Sequence, residues 1–412
     1  MQALAAVTSL LLSTGLLLLG HGMQLTLLPL RAAANGMPEY LIGISASSYF
    51  AGFVLGCLAI PVIIARAGHI RSFAVLAAVM ISVILCLDML DHWAPWLLLR
   101  FMTGLAVSGL YAVIESWLNS QASPDSRGRI LATYTFITLL AMAGGQALIN
   151  VGPVQTSTPF SLAAMFMAMA IIPVGITRRM APAPVHSTRI RFGLLYQRSH
   201  SAFAGAALSG LLTGSFWALG AVFASSISRS QSDISLFMIA AIMGGAIFQY
   251  PIGWLSDRVD RRRVLLGLSV ASVASASAVA LGVGQSWLLL AVLGFGATAM
   301  PLYSVALATA ADVADQDEFV EIGTSVLLLN ALGGAVAPLI LGPLMTALGG
   351  PALFWSFAVL SVLFAGLFYL LARTPRVVAV EAQLPFSPAA SDAAPSSFEL
   401  DPRNPSLEEA EE

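Results

Sequence analysis

Long apolar stretches dominate this chain and alternate with short polar segments. Twelve of these stretches are about twenty residues long or longer, the length at which a helix crosses the roughly 30 Å hydrocarbon layer of a bilayer. Their apolar character is continuous, so they predict membrane helices and not barrel strands. The predicted spans 1 to 12 cover approximately residues 4–30, 40–64, 71–90, 95–118, 130–151, 159–177, 202–227, 234–255, 264–283, 287–310, 321–343 and 352–372.

The composition of the chain agrees with this pattern. It has 412 residues, of which 58% are hydrophobic and 10% charged, and its mean hydropathy is +0.86. A water-soluble globule of this size does not need so much apolar material for its core. The first stretch is too long for a signal peptide and lacks a basic leader, so it counts as span 1. The predicted fold class is therefore an all-α membrane protein with twelve transmembrane helices.

The placement of arginine predicts the orientation. Basic residues in short loops concentrate on the cytoplasmic side of a membrane protein. With the N-terminus inside, the outer loops hold only Arg31 and Arg229, so we expect a cytoplasmic (inner) membrane protein with both termini in the cytoplasm. The inner segments then hold Arg66, Arg71, Arg127, Arg129, Arg178, Arg179, Arg189, Arg191, Arg198, Arg258, Arg261, Arg262, Arg263, Arg373 and Arg376.

The two halves of the chain share a pattern at an offset of 192 residues. Residues 61–71 read PVIIARAGHIR, and residues 253–263 read GWLSDRVDRRR, with two arginines in register. At the same offset, residues 104–111 (GLAVSGLY) fall on residues 296–303 (GATAMPLY). Two separate regions that agree on one offset predict two parallel six-helix halves.

The domain boundaries follow from this division. The predicted units are an N-terminal six-helix half at residues 1–177, a basic cytoplasmic linker at residues 178–201 and a C-terminal six-helix half at residues 202–373. Residues 374–412, the tail, hold six prolines and end in SLEEAEE. Because the tail has no periodicity and little apolar content, it is predicted to be a disordered, acidic cytoplasmic segment.

The charged segment after span 8 resembles a motif of a known family. The loop motif of the major facilitator superfamily of secondary transporters is glycine, leucine, aspartate, arginine, glycine and two basic residues. Asp260 stands where the motif has its second glycine, and in the first half Pro61 and Ala65 replace the motif's glycine and aspartate. The residues that match the motif are Gly253, Leu255, Asp257, Arg258, Arg261 and Arg262.

Further segments carry the same resemblance over about residues 5–372. Residues 100–104 (RFMTG) resemble the family's second motif, an arginine with a glycine four positions later. In span 5, Gly144-Gly145-Gln146 differs from the glycine-proline motif typical of drug-proton antiporters. The segments SYFAGFVLGC, RAGHIRSF and GLYAVIESWLN look most like the YcaD-type branch.

This resemblance implies an alternating-access transporter whose two halves rock around a central site. It also implies a gate at the inner face, where Asp257, Arg258 and Arg261 form a charged latch that holds one conformation closed. Since Ala65 removes the corresponding acid from the first half, we expect an asymmetric latch. The other residues predicted at this gate are Arg66, Gly68, Arg71, Glu115, Arg127, Arg129 and Gly253.

Span 4 carries the most pronounced set of polar residues. Arg100, Gly104, Ser108, Tyr111 and Glu115 are separated by four, four, three and four residues and share one helical stripe. Ionisable groups at membrane depth normally face an aqueous cavity or a partner. Arg100 is therefore either a cavity residue that binds a substrate anion or relays protons, or a structural arginine bonded to carbonyls. Glu115 is expected in an ion network at the inner face.

His21 in span 1 shares a stripe with Gln24, near the depth of Arg100, and both residues are predicted to lie on the solute or proton pathway. Because histidine titrates near physiological pH, His21 is either a proton carrier or a residue bonded to a neighbouring helix and insensitive to pH. The small-residue faces at residues 52–56 and 210–214 predict close helix packing. Residues near the midplane that either line a cargo cavity or join helices are Tyr111, Thr138, Gln146, Thr213, Trp217, Gln249, Tyr303 and Asn330.

The residue inventory argues against an enzyme. All nineteen basic residues are arginine, and without lysine a Walker A nucleotide site and Schiff-base chemistry are excluded. Cys57 and Cys86 lie singly in two spans, without the spacing of a metal or redox centre. We expect no cofactor, no metal and no nucleic-acid partner, and no oligomer is implied.

The sequence thus predicts a secondary active transporter that moves a small polar or amphipathic solute and couples this movement to protons. Two alternatives stay open: a multidrug efflux transporter, and a non-transporting membrane receptor or scaffold with the same fold. A cavity lined by Arg100 favours transport. A centre filled by side chains, with Arg100 bonded to carbonyls, favours the receptor or scaffold.

Overall fold

The structure of the chain is a computed structural model that describes residues 2–90, 92–121, 124–176, 189–228, 230–315, 318–375, 378–389, 393–399 and 401–404; of residues 2–6 and 124–128 only the backbone is described. The described residues form helices and contain no strand. Twelve helices are long and apolar enough to cross a membrane, which confirms the prediction from the apolar stretches. The chain is therefore a multi-pass membrane protein.

The first half comprises spans 1 to 6, joined by short loops. Gly68 connects spans 2 and 3 with a φ of 80°, a backbone conformation that a residue with a β-carbon rarely adopts. Spans 1 to 5 are the helices Gln2–Ala34, Glu39–Ala67, His69–Met89, Trp93–Gln121 and Pro124–Leu148, and span 6 consists of Thr158–Met169 and Ile171–Ile176.

The second half comprises spans 7 to 12, and two of these spans are interrupted. The short helix Phe192–Arg198 precedes it and belongs to the predicted linker, whose residues 178–188 lie outside the described ones. Span 10 breaks at Pro301, which lacks a backbone donor. Span 7 consists of His200–Ser209, the π-helical segment Gly210–Gly214 and Ser215–Ile227; spans 8 to 12 are Gln231–Ser256, Arg261–Leu281, Leu288–Ala299 with Pro301–Ala311, Phe319–Leu348 and Ala352–Ala372.

A pair of glycines brings spans 2 and 4 into backbone contact. A β-carbon at Gly52 would lie 1.9 Å from the Phe101 carbonyl oxygen, and a β-carbon at Gly104 would lie 1.9 Å from that of Tyr49. No residue other than glycine fits at this distance without moving a backbone. The packing role predicted for the small-residue face around Gly52 is confirmed.

The second half repeats this crossing 192 residues later. A β-carbon at Gly244 of span 8 would lie 2.0 Å from the Leu293 carbonyl oxygen, and one at Gly296 of span 10 would lie 1.9 Å from that of Ala241. All four positions of this second crossing lie 192 residues after the corresponding positions of the first crossing. The two six-helix halves predicted from the repeat therefore share their central helix contact.

The first and last spans have their free ends on the same side of the bundle, which we call the terminal face. At the other side, the opposite face, the two halves contact each other directly. Thr346 donates a hydrogen bond to Glu39 at 3.0 Å, and Ser235 donates one to the Gln146 carbonyl at 2.5 Å. These contacts join the two halves at the opposite face.

The tail differs from the predicted disordered segment. Its described residues pack between the two halves at the terminal face, where Ala394, Ser396 and Phe398 are at most 2% exposed. The described part holds only short 3-10 turns such as Pro395–Glu399, so it lacks the periodicity by which a sequence reveals packed elements. The acidic end at residues 405–412 lies outside the described residues.

Candidate solute cavity and gate

A cavity of about 150 Å³ lies between the two halves. Spans 1, 2, 4 and 5 of the first half and spans 7, 8, 10 and 11 of the second half form its walls, and Ala389 of the tail contributes on the terminal side. Much of the lining is apolar. The polar and aromatic residues that line the cavity include His21, Tyr49, Arg100, Thr138, Thr213, Trp217, Gln249 and Asn330.

Tyr49 connects the two ionisable residues of the cavity wall. The Arg100 guanidinium lies over the Tyr49 ring, 4.7 Å from its centroid. The His21 ring stacks against the same residue, with centroids 6.2 Å apart. A guanidinium over an aromatic face is attracted by the negative charge of the π-system. Arg100 and His21 therefore share one wall of the cavity.

Tyr49 has no distinguishing feature in the sequence, and its position follows from the glycine crossing. The Tyr49 carbonyl lies against Gly104, and Gly104 follows Arg100 by one helical turn. The crossing of the two spans therefore places the tyrosine ring beside the guanidinium of Arg100. The signal for this contact is the occurrence of glycine in both spans, because closely packed membrane helices need small residues at their crossing point.

Several buried polar atoms of the lining residues have no hydrogen-bond partner among the described residues. They belong to Arg100 (Nη1), His21 (Nδ1) and Asn330 (Oδ1). The described lining contains no carboxylate, and Arg100 is its one permanent charge. Burial of an unpaired charge is costly. The Arg100 Nη1 can donate to an anion, whereas the Asn330 Oδ1 needs a hydrogen-bond donor.

Four residues predicted for the solute pathway lie outside the described cavity lining. The Gln146 side chain donates to the Gly22 carbonyl at 2.8 Å and thereby joins span 5 to span 1. Tyr111 and Tyr303 are 2% and 1% exposed and packed among helices, and Gln24 is also buried. None of these four residues lines the described cavity in this conformation, and for Gln146 the alternative reading, a residue that joins helices, holds. Depth in the membrane does not fix the direction in which a side chain points.

Arg261 organises a buried ion cluster at the terminal face. Its guanidinium donates to the Ala308 carbonyl at 2.6 Å, to Asp312 at 2.7 Å and to Asp257 at 3.3 Å. Burial raises the pKa of the Asp312 carboxyl, against the opposing effect of Arg261. Asp257 thus contacts an arginine of its own half. Asp312 is not among the residues predicted for the gate, although an acid at the end of an apolar span is a visible signal in the sequence.

The other arginines predicted at the gate do not join this cluster. Arg258 bends back onto its own helix, where its guanidinium lies 4.1 Å from the centroid of the Trp254 ring and donates to the Trp254 carbonyl at 3.2 Å. The Arg127 side chain lies outside the described residues. The predicted gate arginines that are exposed are Arg66, Arg71, Arg129 and Arg258.

Glu115 has partners that the sequence does not predict. Its carboxylate accepts hydrogen bonds from the Tyr134 hydroxyl at 3.1 Å, from the Ala394 backbone N–H at 3.0 Å and from the Ser396 hydroxyl at 3.2 Å. Two of these three donors belong to the tail. Glu115 therefore binds a segment that is about 280 residues away in the chain.

Comparison with known proteins extends the resemblance noted in the motifs. Residues 202–398 match the family model of the Major Facilitator Superfamily. An uncharacterized MFS-type transporter of Enterobacter sp. (strain 638) is 28% identical over 343 residues, which cover 82% of this chain and 88% of that protein. The uncharacterized MFS-type transporter YcaD of Escherichia coli O17:K52:H18 is 29% identical over 376 residues, which cover 90% and 97%.

A solved structure shows the same fold. The crystal structure of the nucleoside transporter NupG matches with a TM-score of 0.78 at 13% identity, over 90% of this chain and all of that one. The fold of this chain is therefore the major facilitator fold. In its motifs, its family-model match and its fold, the chain resembles the transporters of the major facilitator superfamily and, among them, the YcaD-type branch.

Proposed function

We propose that this chain is a secondary active transporter that moves a small amphipathic solute with an anionic group across the cytoplasmic membrane by alternating access. The solute binds in the cavity between the halves, where Arg100 pairs with its anionic group. The terminal face lies in the cytoplasm, because loops rich in arginine are retained on that side.

The buried guanidinium of Arg100 carries this proposal. Among the described residues, no carbonyl accepts a hydrogen bond from Arg100, and its Nη1 lies buried without a partner. A carboxylate or phosphate of the solute can accept this bond while Tyr49 fixes the guanidinium from its ring face. Asn330 of the second half lines the same cavity. A solute that contacts both halves is what a rocking motion requires.

The rest of the lining defines the body of the solute. The volume of about 150 Å³ is below the roughly 300–1,000 Å³ of typical ligand pockets. Phe50, Phe53 and Trp217 provide apolar and aromatic surface around it. These features support a compact solute with an apolar or aromatic body.

Coupling to protons rests on His21. Its ring lies against Tyr49, next to the guanidinium that would bind the anion. A negative charge bound beside a histidine favours the protonated form of its imidazole. Anion and proton would then bind together and move together, since linkage between two ligands is reciprocal.

Multidrug efflux is the second candidate, because most of the cavity lining is apolar or aromatic. The substrates expected for it, lipophilic cations, would be repelled by Arg100 at close range. The receptor or scaffold alternative predicts a filled centre with Arg100 bonded to carbonyls. The cavity and the contact of Arg100 with Tyr49 support transport over that alternative.

A thermal-shift screen of the purified protein tests the proposal. The library pairs compact monocarboxylates and monophosphates with their amine and alcohol analogues, because a ligand that binds the folded state raises the melting temperature. We expect the anions to raise it. Arg100→Ala should weaken their binding by at least about tenfold, since a hydrogen bond to a charged group contributes about 1.5–3 kcal/mol.

Arg263→Ala is the matched control, because it removes the same charge from an exposed position at the terminal face. It should leave the response to anions unchanged. If most hits were lipophilic cations, and if they shifted the melting temperature equally in wild type and Arg100→Ala, the anion site would be contradicted. Multidrug efflux would then be the better explanation.

A further inference from the structure

The tail lies between the cavity and the terminal face and contacts both halves. In the second half, the Ser304 hydroxyl accepts a hydrogen bond from the Ala389 N–H at 3.2 Å and donates one to the Ala389 carbonyl at 3.0 Å. In the first half, the Asn119 side chain donates to Glu399 at 3.2 Å. Since Ala389 also lines the cavity, the described tail residues cover its terminal side.

Three carboxylates of the bundle hold the backbone of the tail. Bonds from backbone N–H groups to carboxylates are charge-assisted and roughly twice as strong as neutral ones. The acceptors come from both halves, so one segment ties them together. The pairs are Asp312 with the Leu384 N–H at 3.0 Å, Asp257 with the Phe386 N–H at 2.8 Å and Glu115 with the Ala394 N–H at 3.0 Å.

Two glycines accommodate the phenyl rings of the tail. A β-carbon at Gly253 would lie 2.3 Å from the Phe386 ring, and a β-carbon at Gly323 would lie 2.8 Å from the Phe398 ring. Both rings therefore occupy slots that a side chain at the glycine would close. Gly253 opens the loop motif of the second half, and its lack of a side chain makes room for the tail.

The tail forms hydrogen bonds with charged groups that the two halves need when they close at the terminal face. Asp257, the latch residue implied by the family resemblance, accepts the Phe386 N–H, and Arg261 donates to the Leu384 carbonyl. While this segment lies between the halves, they cannot approach each other at the terminal face. The bound tail therefore opposes both solute exchange and the rocking motion.

We propose that the terminal face is a peptide-binding groove whose ligand is the chain's own tail, and that the bound tail is an autoinhibitory plug of the solute cavity. Its effect on transport rests on the proposed function, whereas the docking of the tail does not. Solute exchange at the terminal face requires the tail to leave this groove.

Cysteine labelling tests the plug without any solute. Cys57→Ala with Cys86→Ala removes the two cysteines of the chain, and Ala246→Cys then places one thiol on the cavity wall. A water-soluble methanethiosulfonate reagent is added to the purified protein in detergent, and mass spectrometry follows the rate of labelling. Direct contacts join the halves at the opposite face, and the variants below change only the tail, so a change in this rate reports access from the terminal face.

Two variants weaken the plug in different ways. Truncation after Gln383 removes it, and Phe386→Ala with Phe398→Ala empties both glycine slots in a chain of full length. We expect each to raise the labelling rate at position 246 by at least about tenfold, since a buried phenyl ring contributes strongly to packing. Truncation after Asn404 is the matched control, and it should label at the rate of the parent.

A synthetic peptide of residues 384–404 tests whether the groove can be filled again. Added to the protein truncated after Gln383, it should restore slow labelling, because the groove is then filled again. Equal rates in the parent and in both monodisperse variants would overturn the proposal. Faster labelling in the variants, in a protein that transports no solute, would contradict the proposed function and leave the plug established.

Discussion

The guanidinium of Arg100 is buried beside an aromatic ring and a cavity. Tyr49 stabilises it by a cation–π contact that contributes roughly 2 kcal/mol when both groups are desolvated. Such a contact leaves the N–H groups at the edge of the guanidinium free to donate to a bound solute. The ring of Tyr49 thus has a positioning role, and the charge of the solute completes the site.

Two substitutions of Tyr49 distinguish the positioning role of its ring from any role of its hydroxyl. Tyr49→Phe keeps the ring, and we expect it to retain anion binding. Tyr49→Leu removes the π-face and should weaken binding about fivefold to thirtyfold, which corresponds to about 1–2 kcal/mol. The affinity of each variant is measured by titrating the anions found in the screen and recording the shift in melting temperature. Equal losses in the two variants would show that the hydroxyl and not the ring positions Arg100.

The sequence reveals some of these residues and not others. Arg100 and His21 can be found because ionisable groups inside apolar spans have few structural uses. Tyr49 cannot, since its role depends on a backbone contact with another span. For Gln146 the sequence leaves two roles open, cavity lining and the joining of helices, and the structure shows the second, because tertiary packing sets the partner that the side chain faces.

Helices are the elements that the sequence predicts best. The predicted span at residues 40–64 is the helix Glu39–Ala67, and that at 264–283 is Arg261–Leu281. In a bilayer every backbone polar group must be satisfied inside the element, so length and apolarity suffice to identify a span. The π-helical segment Gly210–Gly214 is not predictable in this way, since it packs against the backbone of Asn330 in another span.

The glycine crossing makes a prediction about span packing. Gly104→Ala would place a β-carbon 1.9 Å from a backbone oxygen, so spans 2 and 4 must move apart. We expect a lower melting temperature, corresponding to about 1–3 kcal/mol of lost stability. Gly267→Ala is the matched control, since no atom lies within 4 Å of its β-carbon position. Equal melting temperatures for the two variants would contradict the crossing.

In the whole molecule, the two halves meet directly at the opposite face and through the tail at the terminal face. The repeat at an offset of 192 residues predicts the arrangement of the halves, because both copies build the same glycine crossing. The place of the tail is not predictable from its own composition. The glycine slots that hold its phenyl rings and the carboxylates that accept its backbone N–H groups are in place only once the bundle has formed.

Transport in proteoliposomes is the most direct test of the central claim, that the cavity carries an anion across the membrane together with protons. The protein truncated after Gln383, which lacks the proposed plug, is purified and reconstituted, and an inward proton gradient is applied with a radiolabelled anion from the screen outside. The account predicts accumulation above equilibrium, its collapse when a protonophore is added, and none in Arg100→Ala. Accumulation equal to that of protein-free liposomes, or unchanged in Arg100→Ala, would contradict it.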